Sequence, residues 1–344
     1  MNVQQLFGIE LPIIQAPMAG VQGSAMTIAV SNAGGLGSLP CAMLTPESMR
    51  TEIAAIAAGT DRPFNLNFFC HATPVPDATR EARWRNALAP YYAEFGIDPA
   101  TVPAGSGRAP FSTEMADLIE AFTPPIVSFH FGLPAPALLQ RVKAWGARVT
   151  SSATTVAEAR WLEAHGADAI IAQGLEAGGH RGMFLTDDLT TQIGTMALLP
   201  QVLRAVRVPV IAAGGIADAR GVQAALALGA AGVQVGTSYL LCPEATTTAL
   251  HRAALRGARA EHTVLTHLIT GRPARGIPNR LMTELGPLGN APPAFPLATA
   301  ALLPLKAAAE RLGRDDFSTL WSGQNASGCH EVPAADLTRG LAGC

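Results

Sequence analysis

The sequence predicts an α/β fold in which eight parallel strands close into a (β/α)8 barrel, the TIM barrel. Eight short apolar runs recur along the chain, and most of them lead into turns and then into alanine-rich helical patterns. The runs lack the polar alternation of a sheet with one solvated face, so both faces of the sheet are expected to be covered. The 344 residues exceed the roughly 250 of a simple barrel, which leaves room for insertions.

Each predicted strand is a short apolar run that a helical pattern or a turn follows. In chain order the strands are Pro12–Ala16, Leu36–Leu39, Phe64–Phe69, Pro125–Phe131, Arg148–Ala153, Ala167–Gln173, Val208–Ala213 and Gly232–Val235. Helical patterns such as Thr155–His165 and Ala219–Leu228 separate them. Eight such units in a row favour a closed barrel over an open sheet.

Two regions depart from this alternation of strands and helices. An insertion at about residues 71–123 follows the third strand, with a helix expected to begin near Asp77. After the eighth strand, residues 243–269 predict a long helix, and residues 271–304 hold seven prolines that disfavour regular structure. We therefore expect a barrel over residues 1–241, a lid or substrate-capping segment over 242–305, and C-terminal helices over 306–344 that pack back on the barrel.

Composition excludes several classes of protein. The chain has 49% apolar residues and only 15% charged ones, which excludes a disordered chain. Lys plus Arg number 24 against 26 Asp plus Glu, without a basic cluster, so nucleic acid is not an expected partner. The long uncharged stretches are broken by polar residues at short intervals, and no membrane helix is expected.

Cysteines and the N-terminus indicate a cytoplasmic protein. The five cysteines are widely spaced and form no CxxC pair, so neither a disulfide scaffold nor a metal site is expected. The first basic residue is Arg50, and a secretory signal is therefore not expected. The chain also has no Walker A loop, HExxH helix, GxSxG elbow or GxGxxG fingerprint.

Glycines follow the last two predicted strands, where a barrel commonly binds phosphate. Gly214 and Gly215 follow the seventh strand, and Gly236-Thr237 follows the eighth. Backbone N–H groups can approach phosphate oxygens closely at glycines. The alternative is that these glycines only form tight turns.

Two histidines are candidates for the site. His130 lies in SFHFG at the end of the fourth strand, which places it at the active-site face of a barrel. A neutral imidazole between apolar walls can serve as a general base, although a buried structural histidine is the alternative. His180 lies in QGLEAGGHRG after the sixth strand and either contacts a ligand or fixes its loop.

The segments PIIQAPMAG at 12–20, NLNFF at 65–69, SFHFG at 128–132, QGLEAGGHRG at 173–182, AAGGI at 212–216 and QVGTSYL at 234–240 together resemble the nitronate monooxygenases of class I, formerly called 2-nitropropane dioxygenases. This resemblance implies an FMN-dependent barrel that oxidises alkyl nitronates with O2 through a flavin semiquinone. The products are nitrite and a carbonyl compound, and the expected role is detoxification.

The resemblance also implies roles for individual residues. His130 would be the catalytic histidine. The residues that would hold FMN are Ala16, Pro17, Met18, Asn67, Gln173, Gly178, Gly179, Gly214, Gly215, Gln234, Val235, Gly236 and Thr237. From their own chemistry, His180 and Lys306 are candidate substrate contacts; Lys306 could bind a carboxylate such as that of propionate 3-nitronate or, alternatively, lie at the surface. Family members place tyrosines around the substrate, and residues 270–305 of this chain contain none.

Other functions remain open at this stage. One is an FMN-dependent NAD(P)H:quinone or enoyl-acyl carrier protein reductase of the same superfamily. Another is a flavin-free phosphate-binding barrel with isomerase or lyase activity. The expected partners are a small nitronate and O2, and a homodimer is among the oligomeric states that the sequence leaves open.

Overall fold

The computed structural model describes residues 2–102 and 108–344. Its strands are β1 (Ile13–Gln15), β2 (Gly37–Pro40), β3 (Phe64–Phe69), β4 (Ile126–His130), β5 (Arg148–Ala153), β6 (Ala169–Gln173), β7 (Gly179–His180), β8 (Val210–Ala213), β9 (Gly232–Val235), β10 (Val264–Thr266) and β11 (Ala274–Gly276). All eight predicted strands are confirmed, with bounds that shift by a few residues.

The helices lie mainly between the barrel strands. They are α1 (Val3–Phe7), α2 (Ser24–Asn32), α3 (Pro46–Gly59), α4 (Ala78–Glu94), α5 (Thr113–Glu120), α6 (Pro136–Ala144), α7 (Val156–Ala164), α8 (Thr195–Ala205), α9 (Ala219–Ala227), α10 (Ala249–Arg256), α11 (Arg280–Leu285), α12 (Ala298–Arg311) and α13 (Ala334–Ala342). Short 3-10 helices cover Pro99–Thr101, Leu189–Thr191, Thr237–Leu241 and Ala258–Glu261.

Eight parallel strands form the barrel in the order β1-β9-β8-β6-β5-β4-β3-β2. Leu36, next to β2, closes the ring against β1. Its N–H donates to Ile13 O at 2.9 Å, and its carbonyl accepts from Gln15 N at 3.0 Å. The fold is therefore the predicted TIM barrel.

The amino-terminal end of the barrel is packed with apolar side chains. Val3 and Phe7 of α1 form one buried cluster with inward residues such as Ile14, Ile171 and Ile211. Because this end is filled, space for a ligand remains at the carboxyl ends of the strands, where active sites of such barrels lie.

The region after β3 and the region after β9 pack against each other. Trp84 Nε1 of α4 donates to Ala298 O at 3.0 Å, and Tyr92 Oη donates to Ala301 O at 2.7 Å. Together they form a second apolar core beside the barrel, which we call the cap core; it includes Trp84, Leu88, Tyr92, Leu281, Leu302, Leu305 and Phe317. Helix α5 instead packs between α3 and α6, in the ring of barrel helices.

The prediction of one long helix over residues 243–269 is wrong. Helix α10 begins after Thr248, which caps it by accepting from His251 N at 3.3 Å, and it ends at Gly257. The chain then forms strand β10, which pairs antiparallel with β11. Gly257 favours a helix end, and the β-branched Thr263 and Val264 favour the strand that follows.

The C-terminal helix α13 packs on α2, α9 and β1 of the barrel. Helix α12 belongs to the cap core and contacts α4. Across residues 2–102 and 108–344, no helix is long and apolar enough to cross a membrane.

Candidate active site

A cavity of about 320 Å³ opens at the carboxyl ends of the barrel strands. This volume falls within the range of small-molecule sites in proteins, roughly 300–1,000 Å³. The lining includes these residues singled out from the sequence: Ala16, Pro17, Met18, Asn67, His130, Gln173, Gly178, Gly179, His180, Gly214, Gly215, Gln234, Gly236, Thr237 and Lys306. The barrel thus brings residues from all along the chain to one place.

Val235 does not line the cavity, although it was singled out with its neighbours. Its side chain is buried in the core between the barrel and its helices. Successive side chains on a strand point to opposite faces, so Gln234 and Gly236 face inward while Val235 faces outward. Val235 contributes only its carbonyl, which accepts from Ala16 N at 2.8 Å and joins β9 to the loop after β1.

One end of the cavity offers unused backbone donors. Within the described residues, the N–H groups of Gly214, Gly215, Gly236 and Thr237 donate to no other protein group. All four residues line the cavity. Four free N–H groups at the ends of two adjacent strands form a site suited to a phosphate group.

The loop after β6 is tied to the barrel through side-chain amides and a buried arginine. Gln173 Nε2 donates to His180 O at 3.0 Å, and Gln173 Oε1 accepts from Gly182 N at 2.8 Å. The fully buried Arg181 donates to Gly174 O, Gln173 O and Gln192 Oε1. These hydrogen bonds fix the position of the loop relative to the barrel.

Asn67 is oriented by a serine on the neighbouring strand. Its Nδ2 donates to Ser128 Oγ at 2.9 Å and to Ser128 O at 3.3 Å. Because its amide nitrogen is occupied in this way, the side-chain oxygen of Asn67 is the group left to meet a ligand in the cavity.

His130 is held by hydrogen bonds at both ring nitrogens. Nε2 lies 3.2 Å from His180 O, and Nδ1 lies 3.0 Å from Ser152 Oγ. A carbonyl oxygen only accepts hydrogen bonds, so Nε2 carries the proton and Nδ1 accepts from the serine hydroxyl in the neutral ring. Burial lowers the pKa of His130 to about 3, and the positive charges of Arg272 and Arg181 act in the same direction.

Aromatic side chains surround this histidine. The Phe69 ring centroid lies 5.9 Å from that of His130, and the Phe131 centroid lies 4.5 Å from it. The ring centroid of Phe295, from the region after β9, lies 5.3 Å from that of His180. Burial also lowers the pKa of His180 well below its ordinary value, so both imidazoles are neutral at pH 7. The walls around them are apolar.

Sequence reasoning missed several lining residues. They include Ser128, Ser152, Arg108, Thr248, His251, Glu310, Trp321, Ser322, Gly323 and Asn325. Ser128 could have been found, because it stands two positions before His130 on one strand and so shares its face. Arg108 lies in an irregular part of the insertion, where no periodic pattern indicates which side chains face the barrel.

Lys306 lies at the cavity beside an acidic residue. Its Nζ is 3.9 Å from Glu310 Oε1, one helical turn further along α12. Glu310 in turn accepts from Ser318 Oγ at 2.6 Å. The lysine charge is therefore offset within the protein.

The fold and the cavity define an enzyme of the (β/α)8-barrel class, with its site at the carboxyl ends of the strands. A family model described as nitronate monooxygenase matches residues 2–342. The chain belongs to the nitronate monooxygenase family and is an oxidoreductase. The resemblance predicted from the sequence is confirmed.

Curated relatives and solved structures agree with this assignment. The chain is 45% identical over 343 residues to the nitronate monooxygenase of Pseudomonas aeruginosa, covering 98% of this chain and 97% of the relative. It is 43% identical to that of Paraburkholderia phytofirmans, covering 98% and 92%. Among solved structures, nitroalkane oxidase from Streptomyces ansochromogenes is similar with a TM-score of 0.90 and 37% identity, covering 99% of this chain and 96% of that one. FabK from Thermotoga maritima is similar with a TM-score of 0.71 and 26% identity, covering 99% and 94%.

Proposed function

We propose that the protein uses FMN to oxidise alkyl nitronates, such as propionate 3-nitronate, with O2, yielding a carbonyl compound and nitrite. The observation that carries this proposal is the arrangement of one cavity, with free backbone donors after β8 and β9 and a neutral, aromatic-walled His130 after β4. The curated nitronate monooxygenases are similar over nearly the whole chain, which supports the same reaction.

The cavity residues fit FMN. The free N–H groups of Gly214, Gly215, Gly236 and Thr237 would bind its phosphate. A Cβ on Gly236 would lie 3.3 Å from Ala16 Cβ and 3.5 Å from Met18 Sδ, so a larger residue there would crowd the wall that these residues form. Asn67 and Gln173 would hydrogen-bond the polar edge of the flavin ring, with Ala16, Pro17 and Met18 along it. Bound FMN would supply the electron acceptor for the substrate and the electron donor for O2.

His130 acts as a neutral group in this proposal. Because its pKa is about 3, a protonated imidazole that stabilises the nitro group by charge is disfavoured at neutral pH. Its Nδ1 can accept a substrate proton once the Ser152 hydroxyl turns away, because the nitronate anion formed from a neutral nitroalkane would offset the imidazolium charge that burial otherwise disfavours. A preformed nitronate has already lost that proton and does not need this step.

The aromatic walls would keep bulk water away from the reacting carbon. Phe69 lines the cavity, and Phe131 and Phe295 pack with it in one buried cluster. Phe295 belongs to the region after β9 that was predicted to act as a lid. Excluding water strengthens the electrostatic contacts in the site and limits side reactions.

The test is an anaerobic mixture of the purified protein with propionate 3-nitronate, followed by its visible spectrum. We expect FMN in the isolated protein, a change of the flavin bands on mixing, and nitrite after air is admitted. Bands that respond to NADH but not to nitronate would instead favour the reductase alternative. A protein that takes up no FMN would contradict both.

A further inference from the structure

Arg108 lines the cavity without a carboxylate partner. Its Nε and Nη1 atoms are buried and have no hydrogen-bond partner among residues 2–102 and 108–344. Its Nη2 lies 3.5 Å from the sulfur of Met43, a weak acceptor. Its guanidinium carbon lies 5.8 Å from the ring centroid of Phe295, at the aromatic wall described above.

A guanidinium with two buried, unpaired nitrogens is costly to the folded protein. Arginine stays charged at neutral pH, and burial of a charge is tolerated when a partner of opposite charge or several hydrogen bonds offset it. Neither offset is present for Arg108 within the described residues. A bound anion would supply both.

The groups that face Arg108 do not neutralise it. His71 and His180 lie within electrostatic reach of it and are neutral at pH 7, because burial lowers the pKa of His71 to about 4 and that of His180 well below its ordinary value. His71 also lies beside the backbone of Arg108. Arg272 acts on the same two histidines and also lowers their pKa; its guanidinium carbon lies 4.1 Å from the Phe131 ring centroid.

Lys306 differs from Arg108 in this respect. Glu310 lies 3.9 Å from the lysine nitrogen, so the lysine already has an anionic neighbour. Arginine also binds carboxylates through paired N–H donors, which lysine cannot do. Of the lysine and the arginine that line the cavity, Arg108 is therefore the one without an anionic neighbour among the described residues.

We propose that Arg108 determines substrate specificity by binding the carboxylate of a carboxylate-bearing nitronate, while the nitronate end reacts beside His130. This inference rests on the proposed function. The rings of Phe295 and Phe69 connect the surroundings of the two groups: the Phe295 and Phe69 centroids are 6.2 Å apart, and the Phe69 centroid lies 5.9 Å from that of His130. The substrate that fits has an apolar segment with one anionic group at each end.

The test compares two nitronates on Arg108→Met and Arg108→Lys. The substrates are propionate 3-nitronate and propyl-1-nitronate, which share three carbons and differ in the carboxylate. We expect kcat/KM for propionate 3-nitronate to fall at least tenfold in Arg108→Met, mainly through KM, because a hydrogen-bonded charge pair is lost. The value for propyl-1-nitronate should stay within threefold, and Arg108→Lys should recover part of the loss.

Arg62→Met is the control variant. It removes an exposed arginine that pairs with Glu10 at 2.7 Å, so it changes the net charge by the same amount away from the cavity and should leave the ratio of the two kcat/KM values unchanged. Lys306→Met is the rival variant, because Lys306 is the other cation at the cavity. If Lys306→Met changes the ratio and Arg108→Met does not, the proposal is wrong.

Binding of succinate separates this inference from the proposed function. Titration calorimetry with succinate, a dianion of similar length, should give at least tenfold weaker binding to Arg108→Met than to the unmodified protein. If the unmodified protein releases nitrite from neither nitronate, the proposed function fails while the succinate result still decides the role of Arg108. Equal succinate affinity in both proteins would overturn the inference.

Discussion

Ser152 Oγ donates a hydrogen bond to His130 Nδ1 across 3.0 Å, and this contact controls whether the histidine can accept a proton. The opposite ring nitrogen donates to His180 O, so the ring is held at both ends. Proton acceptance by Nδ1 requires the serine hydroxyl to turn away first. The serine thus orients the ring in the resting site and must release it when a proton is taken.

Replacing His130 is expected to affect neutral nitroalkanes more than nitronates. In His130→Asn, kcat/KM for nitroethane should fall at least about a hundredfold, the scale of a lost general base. The value for preformed ethyl nitronate should fall less than about tenfold, since that substrate carries no proton for Nδ1 to accept. Oxygen consumption at pH 8 measures both.

The matched control is His165→Gln. His165 is exposed and stacks on Trp161 outside the cavity, so kcat/KM should stay unchanged for both substrates. Equal losses for nitroethane and ethyl nitronate in His130→Asn would show that the histidine is not a base.

Ser152→Ala should lower turnover without changing the tautomer of His130. Loss of one hydrogen bond is expected to cost about 1 kcal/mol of stability and to loosen the ring, reducing kcat for nitroethane about tenfold with little effect on KM. The proton should remain on Nε2, because His180 O still accepts it. Nitrogen-15 chemical shifts of labelled histidine report the tautomer, and a proton found on Nδ1 would contradict the assignment.

Acid should destabilise the protein below about pH 6.5. Burial lowers the pKa of His251 to about 4 and that of His130 to about 3, against about 6.5 in an unfolded chain. The unfolded chain therefore binds more protons between these values, so stability is full above pH 6.5 and is lost as the pH falls. At pH 5.5, each histidine should lower the free energy of unfolding by about 1.4 kcal/mol relative to neutral pH.

His251→Gln isolates one of these contributions. Urea unfolding at pH 7.5 and pH 5.5 should show that the variant loses about 1.4 kcal/mol less than the unmodified protein over this interval. An identical loss in both proteins would mean that His251 titrates normally in the folded state.

Gly179 provides a test of the FMN site. It has φ +68° and open space where a Cβ would stand, and it lines the cavity. Gly146, between α6 and β5, has φ +93° and equally open space but does not line the cavity. Alanine at either position should cost about 1–2 kcal/mol, because L-residues disfavour the left-handed conformation.

Only Gly179→Ala should weaken FMN binding, because only this substitution adds a methyl group to a residue that lines the cavity. Fluorescence titration of the FMN-free protein should give at least a tenfold higher Kd for Gly179→Ala and an unchanged Kd for Gly146→Ala. Matching Kd values in the two variants would argue against flavin in this part of the cavity.

The barrel could be predicted because its signals are local. Each strand is a short apolar run before a turn, and parallel strands gather their carboxyl ends at one face, so residues such as His130 and Gln173 could be placed together without coordinates. Val235 was named together with its neighbours, but its side chain faces away from the cavity because side chains alternate along a strand.

The contacts that define the chemistry are not local, and the sequence could not predict them. Ser152 meets His130 only because β4 and β5 are paired in the observed register. Arg108 reaches the cavity from an irregular insertion, and the shape of that insertion depends on helices far along the chain. The backbone carbonyl of His180 fixes the tautomer of His130. Every residue has such a carbonyl, so the sequence does not indicate which one makes this contact.

The contact between Trp84 and Ala298 spans 214 positions in sequence. During synthesis, the apolar face of α4 therefore emerges long before the helix that covers it. The ribosome releases all eight barrel strands while Trp84, Leu88 and Tyr92 still lack their partners in α12. The nascent chain carries an exposed aromatic surface for that interval, and aggregation is favoured when synthesis stops before residue 298.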